Sequence, residues 1–310
     1  MLSCGRHSKK TEMAEKKADA TENVGKTGYE ASFPMPEVPL MVNSEEDAKA
    51  YIMAHFWDGF RFGDTLLLGN KNVISRGISD FIRMSSSMTD SRGEDIRHGF
   101  QVLCKGITEY KGLTDSLKYY VEEFLYNPNS PYYNEVLYGI YLKEMIATLP
   151  VDDPMVSAYD FKLKLISRNC VGNRAEDFYY FLPDGTKKSF YSTKTRGQYT
   201  ILVFYDPECH SCHDIMMGMF ADKELHDAVD KKWVTVVAIY TDGDSEVWKK
   251  YLKGMPENWI IGDDRMAIKD NALYDLKAMP TLYLLDKDKN VVLKDMPYNV
   301  IRKKIFNPTF

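Results

Sequence analysis

Tyr199-Thr200-Ile201-Leu202-Val203-Phe204-Tyr205 runs straight into Asp206-Pro207-Glu208-Cys209-His210-Ser211-Cys212-His213. Seven residues that are almost all apolar predict a strand buried on both faces, as in a parallel or mixed sheet. Asp206-Pro207 ends the strand, and a helix is expected over about 210–230. A Cys-x-x-Cys pair at such a junction has a physical purpose. The first cysteine sits at a helix N-terminus, where unpaired N–H groups and the helix dipole favour a thiolate. The second lies about one turn on, within reach of a mixed disulfide formed at the first. Cys209 is therefore the expected nucleophile and Cys212 the resolving thiol.

The segments around this stretch alternate in type. Residues 178–182 and 188–191 read as a strand pair turning at Pro183-Asp184-Gly185. A second buried strand is expected at 233–240, a helix at 245–252, a short strand at 259–262 and a helix at 267–274. Strands at 281–285 and 291–293 form a closing hairpin, followed by a helix at 300–306. This order describes an α/β layered domain over 173–310. Upstream the period is helical. Ser44 with Asp47 resembles a capping box, and Ala48, Ile52, Phe56 and Phe60 recur at helical spacing. Further helices are expected at 73–84, 95–110, 113–126, 132–149 and 155–169, with Pro131 in the first turn of the fifth. Strand-like alternation is nearly absent before residue 175, so residues 36–170 read as an all-α domain of six helices joined to the second domain near Val171-Gly172-Asn173-Arg174.

Residues from about 172 to 310 resemble the thioredoxin-like domain of envelope thiol–disulfide oxidoreductases, the TlpA/ResA-like group. The matching pieces are Gly172 to Phe178, the strand–Cys209-His210-Ser211-Cys212–helix unit and Ala278-Met279-Pro280-Thr281. The resemblance implies that Pro280 is a cis-proline facing the cysteine pair, and that Met279 pairs with substrate backbone in the groove. It also implies protein dithiols and disulfides as substrates, a reductase or isomerase role, and recharging by a membrane electron donor. Two positions depart from thioredoxin: the buried acid six residues before the first cysteine is here Val203, and the tryptophan before that cysteine is Glu208. His210 between the cysteines is expected to tune the redox poise, since an imidazolium stabilises a neighbouring thiolate. Tyr51 to Thr65 and Tyr126 to Tyr133 are similar to an uncharacterised helical domain found ahead of thioredoxin-like domains in Bacteroidales proteins. That likeness implies architecture and no activity.

Other readings of the same residues are weaker. Cys209-x-x-Cys212-His213 spells the attachment sequence of c-type haem, but the flanking buried strand and Met279-Pro280-Thr281 fit thioredoxin. Cys209, His210, Cys212 and His213 are the donor types of a zinc site, yet adjacent residues on a helix start point in different directions. No metal and no cofactor beyond the cysteine pair is expected. A peroxiredoxin would want Thr or Ser three residues before its reactive cysteine, where Cys209 has Asp206. The rival from a different class is an envelope binding protein in which the helical half does the work and the redox fold is a scaffold.

Composition bounds the remaining choices. A net charge of −5 without basic bias gives no footprint for nucleic acid, and no run reaches the about 18 apolar residues of a spanning helix. Met1-Leu2-Ser3-Cys4-Gly5 looks like the end of a bacterial lipoprotein signal, with Cys4 the acylated residue. Residues 1–35 then read as a flexible tether, rich in Lys, Glu, Thr, Ala and Gly. The expected location is the periplasmic side of the cell envelope, touching membrane only through that lipid. Cys104 and Cys170 both fall in helical patterns and read as small apolar fillers.

Overall fold

The computed structural model describes residues 32–88 and 93–307, so the proposed acylation at Cys4 lies outside the described residues. Short polar side chains set where the N-terminal helices begin, by accepting from amides that have no partner inside the helix. Ser44 accepts from the Asp47 N–H at 3.0 Å and opens α1, Glu45–His55. Asp64 caps α2, Thr65–Gly69, through the amides of Leu66 and Leu67, and Asn70 caps α3, Lys71–Ser87. Gly93–Glu109 forms α4 and Asp115–Leu125 forms α5. Asn134 caps α6, Glu135–Thr148, and Asp153 caps α7, Pro154–Ile166.

Several expectations shift. The described residues before 170 carry seven helices rather than six, because five-residue α2 is too short to show a period. α1 ends at His55, so Phe56 and Phe60 lie in the turns that follow it. The buried set is Ala50, Met53, Phe56, Trp57 and Phe60, while Ala48 and Ile52 are only half-buried. Pro131 precedes α6 in a turn, and the cap is Asn134. α7 stops at Ile166, which leaves Cys170 outside any helix and half-buried, whereas Cys104 is fully buried in α4; both are free thiols. Phe33, assigned above to the tether, packs against Phe60 with ring centroids 5.4 Å apart. It fills the space beside Gly77, where a Cβ would come within 2.2 Å of its ring.

The C-terminal half is built on one seven-stranded sheet in the order β2-β1-β5-β4-β3-β6-β7. Its strands are β1 Tyr179–Phe181, β2 Lys187–Ser189, β3 Tyr199–Tyr205, β4 Val234–Tyr240, β5 Ile260–Asp263, β6 Thr281–Asp286 and β7 Val291–Leu293. β3 is central, parallel to β4 with Val203 opposite Ala238, and antiparallel to β6 with Val203 opposite Leu282. Strand alternation divides its side chains between two cores. Ile201, Val203 and Tyr205 face one, with Cys212 and Met216; Leu202 and Phe204 face the other, with Phe178, Tyr274 and Tyr283.

Among the described residues five α-helices complete this half: α8 His210–Ala221, α9 Lys223–Asp230, α10 Ser245–Tyr251, α11 Ala267–Asp270 and α12 Tyr298–Phe306. The single helix expected over 210–230 is thus broken in two. Asp222 ends α8 and caps α9, accepting from the Glu224 amide at 3.0 Å and from Arg302 Nε at 2.7 Å. α11 is shorter than the expected 267–274. The chain leaves it through Ala272, at φ +47°, and Tyr274 then reaches the core, donating to the Glu176 carbonyl at 2.6 Å. The joint between the halves is tied to the sheet edge, where Gly172 donates to the Val291 carbonyl at 2.8 Å.

Candidate active site at the thiol pair

Three elements meet at the cysteines. β3 delivers the chain to the turn Asp206-Pro207-Glu208, and Cys209 is the N-cap residue of α8. Its own amide donates to the Asp206 carbonyl at 3.2 Å, and its carbonyl accepts from His213 N–H at 3.0 Å. The third element is the approach to β6. Pairing of Thr281 with Phe204 sets residues 278–280 beside the end of β3, and the Met279–Pro280 bond is cis. The Cys209 thiol lies 3.7 Å from the Met279 carbonyl. Of the two residues singled out for the groove, Met279 is thus against the half-buried Cys209, and Pro280 follows it immediately before β6.

The two thiols have different surroundings. Cys209 is half-buried, whereas Cys212 is 1% exposed and packs with Val203 and Met216. Burial pushes the Cys212 thiol up to about 12, with the neighbouring Cys209 and the Asp206 carboxylate pushing the same way. The Asp206 N–H donates to Cys212 Sγ at 3.4 Å and only partly opposes this. Near neutral pH Cys212 is a thiol, unable to attack until a proton leaves. Iodoacetamide applied to the reduced protein near pH 7 is expected to alkylate Cys209 and spare Cys212 and the buried Cys104. Peptide mass mapping reads the outcome, and equal labelling of Cys209 and Cys212 would contradict this burial.

Val203 is fully buried between β4 and β6, so no carboxylate stands at that place in the core. Asp206 contacts the pair through its backbone: its N–H faces Cys212, while its Oδ1 accepts from the Glu208 amide at 3.0 Å. Glu208 is exposed. The imidazole of His210 is turned outward, 90% exposed, with Nε2 at 3.5 Å from Asp214 one turn along α8. Among the described residues no group of three or more His, Cys, Asp or Glu side chains could hold a metal ion.

A cavity of about 150 Å³ opens beside Cys212, lined by Tyr205, Pro207, His213, Met216, Met217, Phe220, Tyr251 and Met255. Methionines suit a surface that must adapt to different apolar partners. These residues went unremarked in the sequence, since Met216 and Met217 read simply as helix and Met255 belongs to a turn after α10. Tyr205 is held from behind by the indole N–H of Trp248, which donates to its hydroxyl at 3.1 Å. A larger cavity, about 700 Å³, runs from Tyr180 and Lys188 to Trp259 and touches neither cysteine.

Residues 3–169 match the model of a domain of unknown function, DUF5106, and residues 197–291 match a thioredoxin-like model. The fold is similar to that of a thioredoxin-like protein from Bacteroides caccae, 27% identical, with a TM-score of 0.75 over 89% of this chain and 98% of that one. An alignment of that extent spans both halves. The C-terminal domain of an uncharacterized protein from Bacteroides fragilis is 36% identical, with a TM-score of 0.42, over 44% of this chain and 97% of that one. A thiol:disulfide interchange protein from a Bacteroides species is 20% identical, with a TM-score of 0.37, over 45% of this chain and 93% of that one. No curated protein matches.

Proposed function

The chain belongs to the DUF5106 family, and on that premise we propose that its thioredoxin-like half exchanges thiols and disulfides with protein substrates through Cys209 and Cys212. In the reducing direction the Cys209 thiolate attacks one sulfur of a substrate disulfide, and the other substrate sulfur leaves as a thiolate and takes up a proton. A mixed disulfide then joins Cys209 to the substrate. Cys212 loses its proton and attacks Cys209 Sγ, the substrate leaves as a dithiol, and Cys209–Cys212 becomes the disulfide. Two electrons have passed from the pair to the substrate. Run backwards, the same steps oxidise a substrate dithiol. The reduced pair is regenerated by an external dithiol, and a membrane donor is the class that the sequence resemblance suggests.

One observation carries this reading: the half-exposed Cys209 at the start of α8 faces the Met279 carbonyl at 3.7 Å, with Cys212 buried behind it as a thiol. The attacking sulfur, the resolving sulfur and a backbone edge for an extended peptide lie together. The Met-lined cavity beside Cys212 adds an apolar surface on the other flank. A role at the periplasmic face of the envelope, anchored through Cys4, belongs to the same proposal and is supported by the N-terminal sequence alone.

The test is the reduction potential of the pair, measured by equilibrating the full chain in glutathione and dithiothreitol buffers. The expected result is a reversible two-electron couple between the thioredoxin and DsbA values, roughly −270 and −120 mV. The same titration on His210→Ala shows whether the imidazole contributes to that poise. A pair that does not cycle would sink the oxidoreductase reading and leave the scaffold reading in its place.

A further inference from the structure

The segment that leads into Met279 is held from the helical domain. Arg168 donates to the carbonyls of Asn271 and Ala272, the latter at 2.5 Å, and Asn169 donates to the Leu273 carbonyl at 2.8 Å. The Tyr126 hydroxyl, at the end of α5, donates to Asp275 at 2.9 Å. Lys277, its side chain 2% exposed, lies 2.7 Å from Glu135 of α6, 3.0 Å from Asp275 and 3.1 Å from Asp295, with the Tyr133 hydroxyl at 3.3 Å. Glu135 uses its second oxygen on Lys294, at 2.8 Å. Two residues beyond Lys277, the Met279 carbonyl faces Cys209.

A loop is ordinarily the most mobile part of a site. Here three of the loop carbonyls, those of Asn271, Ala272 and Leu273, and both its charged side chains bond to a neighbouring domain. A buried ion cluster contributes little net stability, because desolvation offsets most of the attraction, but it is directional. Each carboxylate oxygen of Glu135 has one lysine, and Asp275 is shared between Tyr126 and Lys277. Such an arrangement fixes position, and a groove fixed before substrate arrives spares the cost of ordering it on binding.

We propose that the helical domain is a positioning element of the redox site: Glu135 and Tyr126 grip Asp275 and Lys277 and thereby hold Met279 and Pro280 against Cys209 for an incoming protein substrate. This rests on the oxidoreductase reading above. It assigns to the helical half a role in recognising extended polypeptide, while the chemistry of Cys209 itself needs no groove.

The experiment compares the full-length protein with Glu135→Gln and Tyr126→Phe on two substrates: a disulfide-bridged peptide, and the small aromatic disulfide dithiobis(nitrobenzoic acid). Both variants are expected to raise KM for the peptide by roughly tenfold, with kcat nearly unchanged and the small disulfide reduced as fast as by wild type. Hydrogen exchange across residues 271–279 should speed up in parallel. Folded variants with unchanged peptide KM would overturn the proposal. So would equal losses on both substrates, which mark a merely structural role. Wild-type protein that reduces neither substrate would instead overturn the oxidoreductase reading on which the proposal stands.

Discussion

Cys209→Ser is expected to stop disulfide exchange, lowering the rate by about 10³-fold or more, as removal of a nucleophile does in sites that depend on one. The reason is chemical. A serine hydroxyl stays protonated near neutral pH and cannot displace a thiolate from sulfur, whereas Cys209 is the half-exposed sulfur of the pair. Cys212→Ser has a different signature. The first attack remains, but the intermediate cannot be resolved, because the group one turn into α8 no longer carries sulfur. Substrates should then accumulate as adducts on Cys209 that dithiothreitol releases. The double variant should accumulate none. Non-reducing electrophoresis after mixing with a disulfide-bridged protein separates the three cases. Adducts on the double variant, or none on Cys212→Ser, would show that another thiol does the work.

The second large effect is on stability. Lys277→Met is expected to cost about 3–5 kcal/mol near neutral pH, the usual result of removing one partner from a buried charge cluster. Methionine fills the volume of the lysine stem, so the loss is electrostatic: Glu135 would keep Lys294, while Asp275 and Asp295 would lose the lysine they pair with. Burial pushes the Glu135 carboxyl up, but Lys277 and Lys294 outweigh it and hold it below the usual range. The Asp295 carboxyl is pushed up by burial even with Lys277 present. Lys277 itself is pushed down by burial and, more strongly, up by Asp295, Glu135 and Asp275. Its contribution is thus fully present below the ordinary lysine range and is lost only above it, which leaves no pH dependence near neutrality from this group.

In the variant the direction changes. Asp295 loses its counter-charge, so its folded pKa, already raised by burial, moves further above that of the unfolded chain. A group shifted that way stabilises at low pH and loses its contribution as pH rises through the folded value. Acidification from neutral to about pH 5 should therefore recover part of the deficit relative to wild type. Urea midpoints at the two pH values check this. A deficit that does not change with pH would mean that the cost is packing.

What could be read from the chain followed its short-range patterns. The seven residues of β3 were legible to their ends, because an apolar run bounded by Asp206-Pro207 has one good solution next to a cysteine pair. The division into helical and α/β halves and the placement of Cys209 at a helix start also came from local spacing, whereas the place of Pro280 came from the family resemblance. The fine structure of the helices was less legible. Helix 210–230 broke at Asp222 because a carboxylate held by Arg302 and Tyr298 caps a second helix there, and both partners come from α12. α1 stopped before Phe56 although the helical period continued, and Phe56, Trp57 and Phe60 are buried from the turns that follow it.

By itself, then, the sequence determined the fold class and the strand–helix junction that carries the Cys209–Cys212 pair, both properties of neighbours within a few residues of one another. Only the tertiary structure decided that His210 points away to Asp214, that methionines line a cavity beside Cys212, and that Lys277 meets Glu135. That last pair lies 142 residues apart. Charge and hydrophobicity along a chain carry a period for a helix or a strand, but none for which distant residue will share a desolvated site. That choice is made when two surfaces close over their charged groups and water can no longer satisfy them.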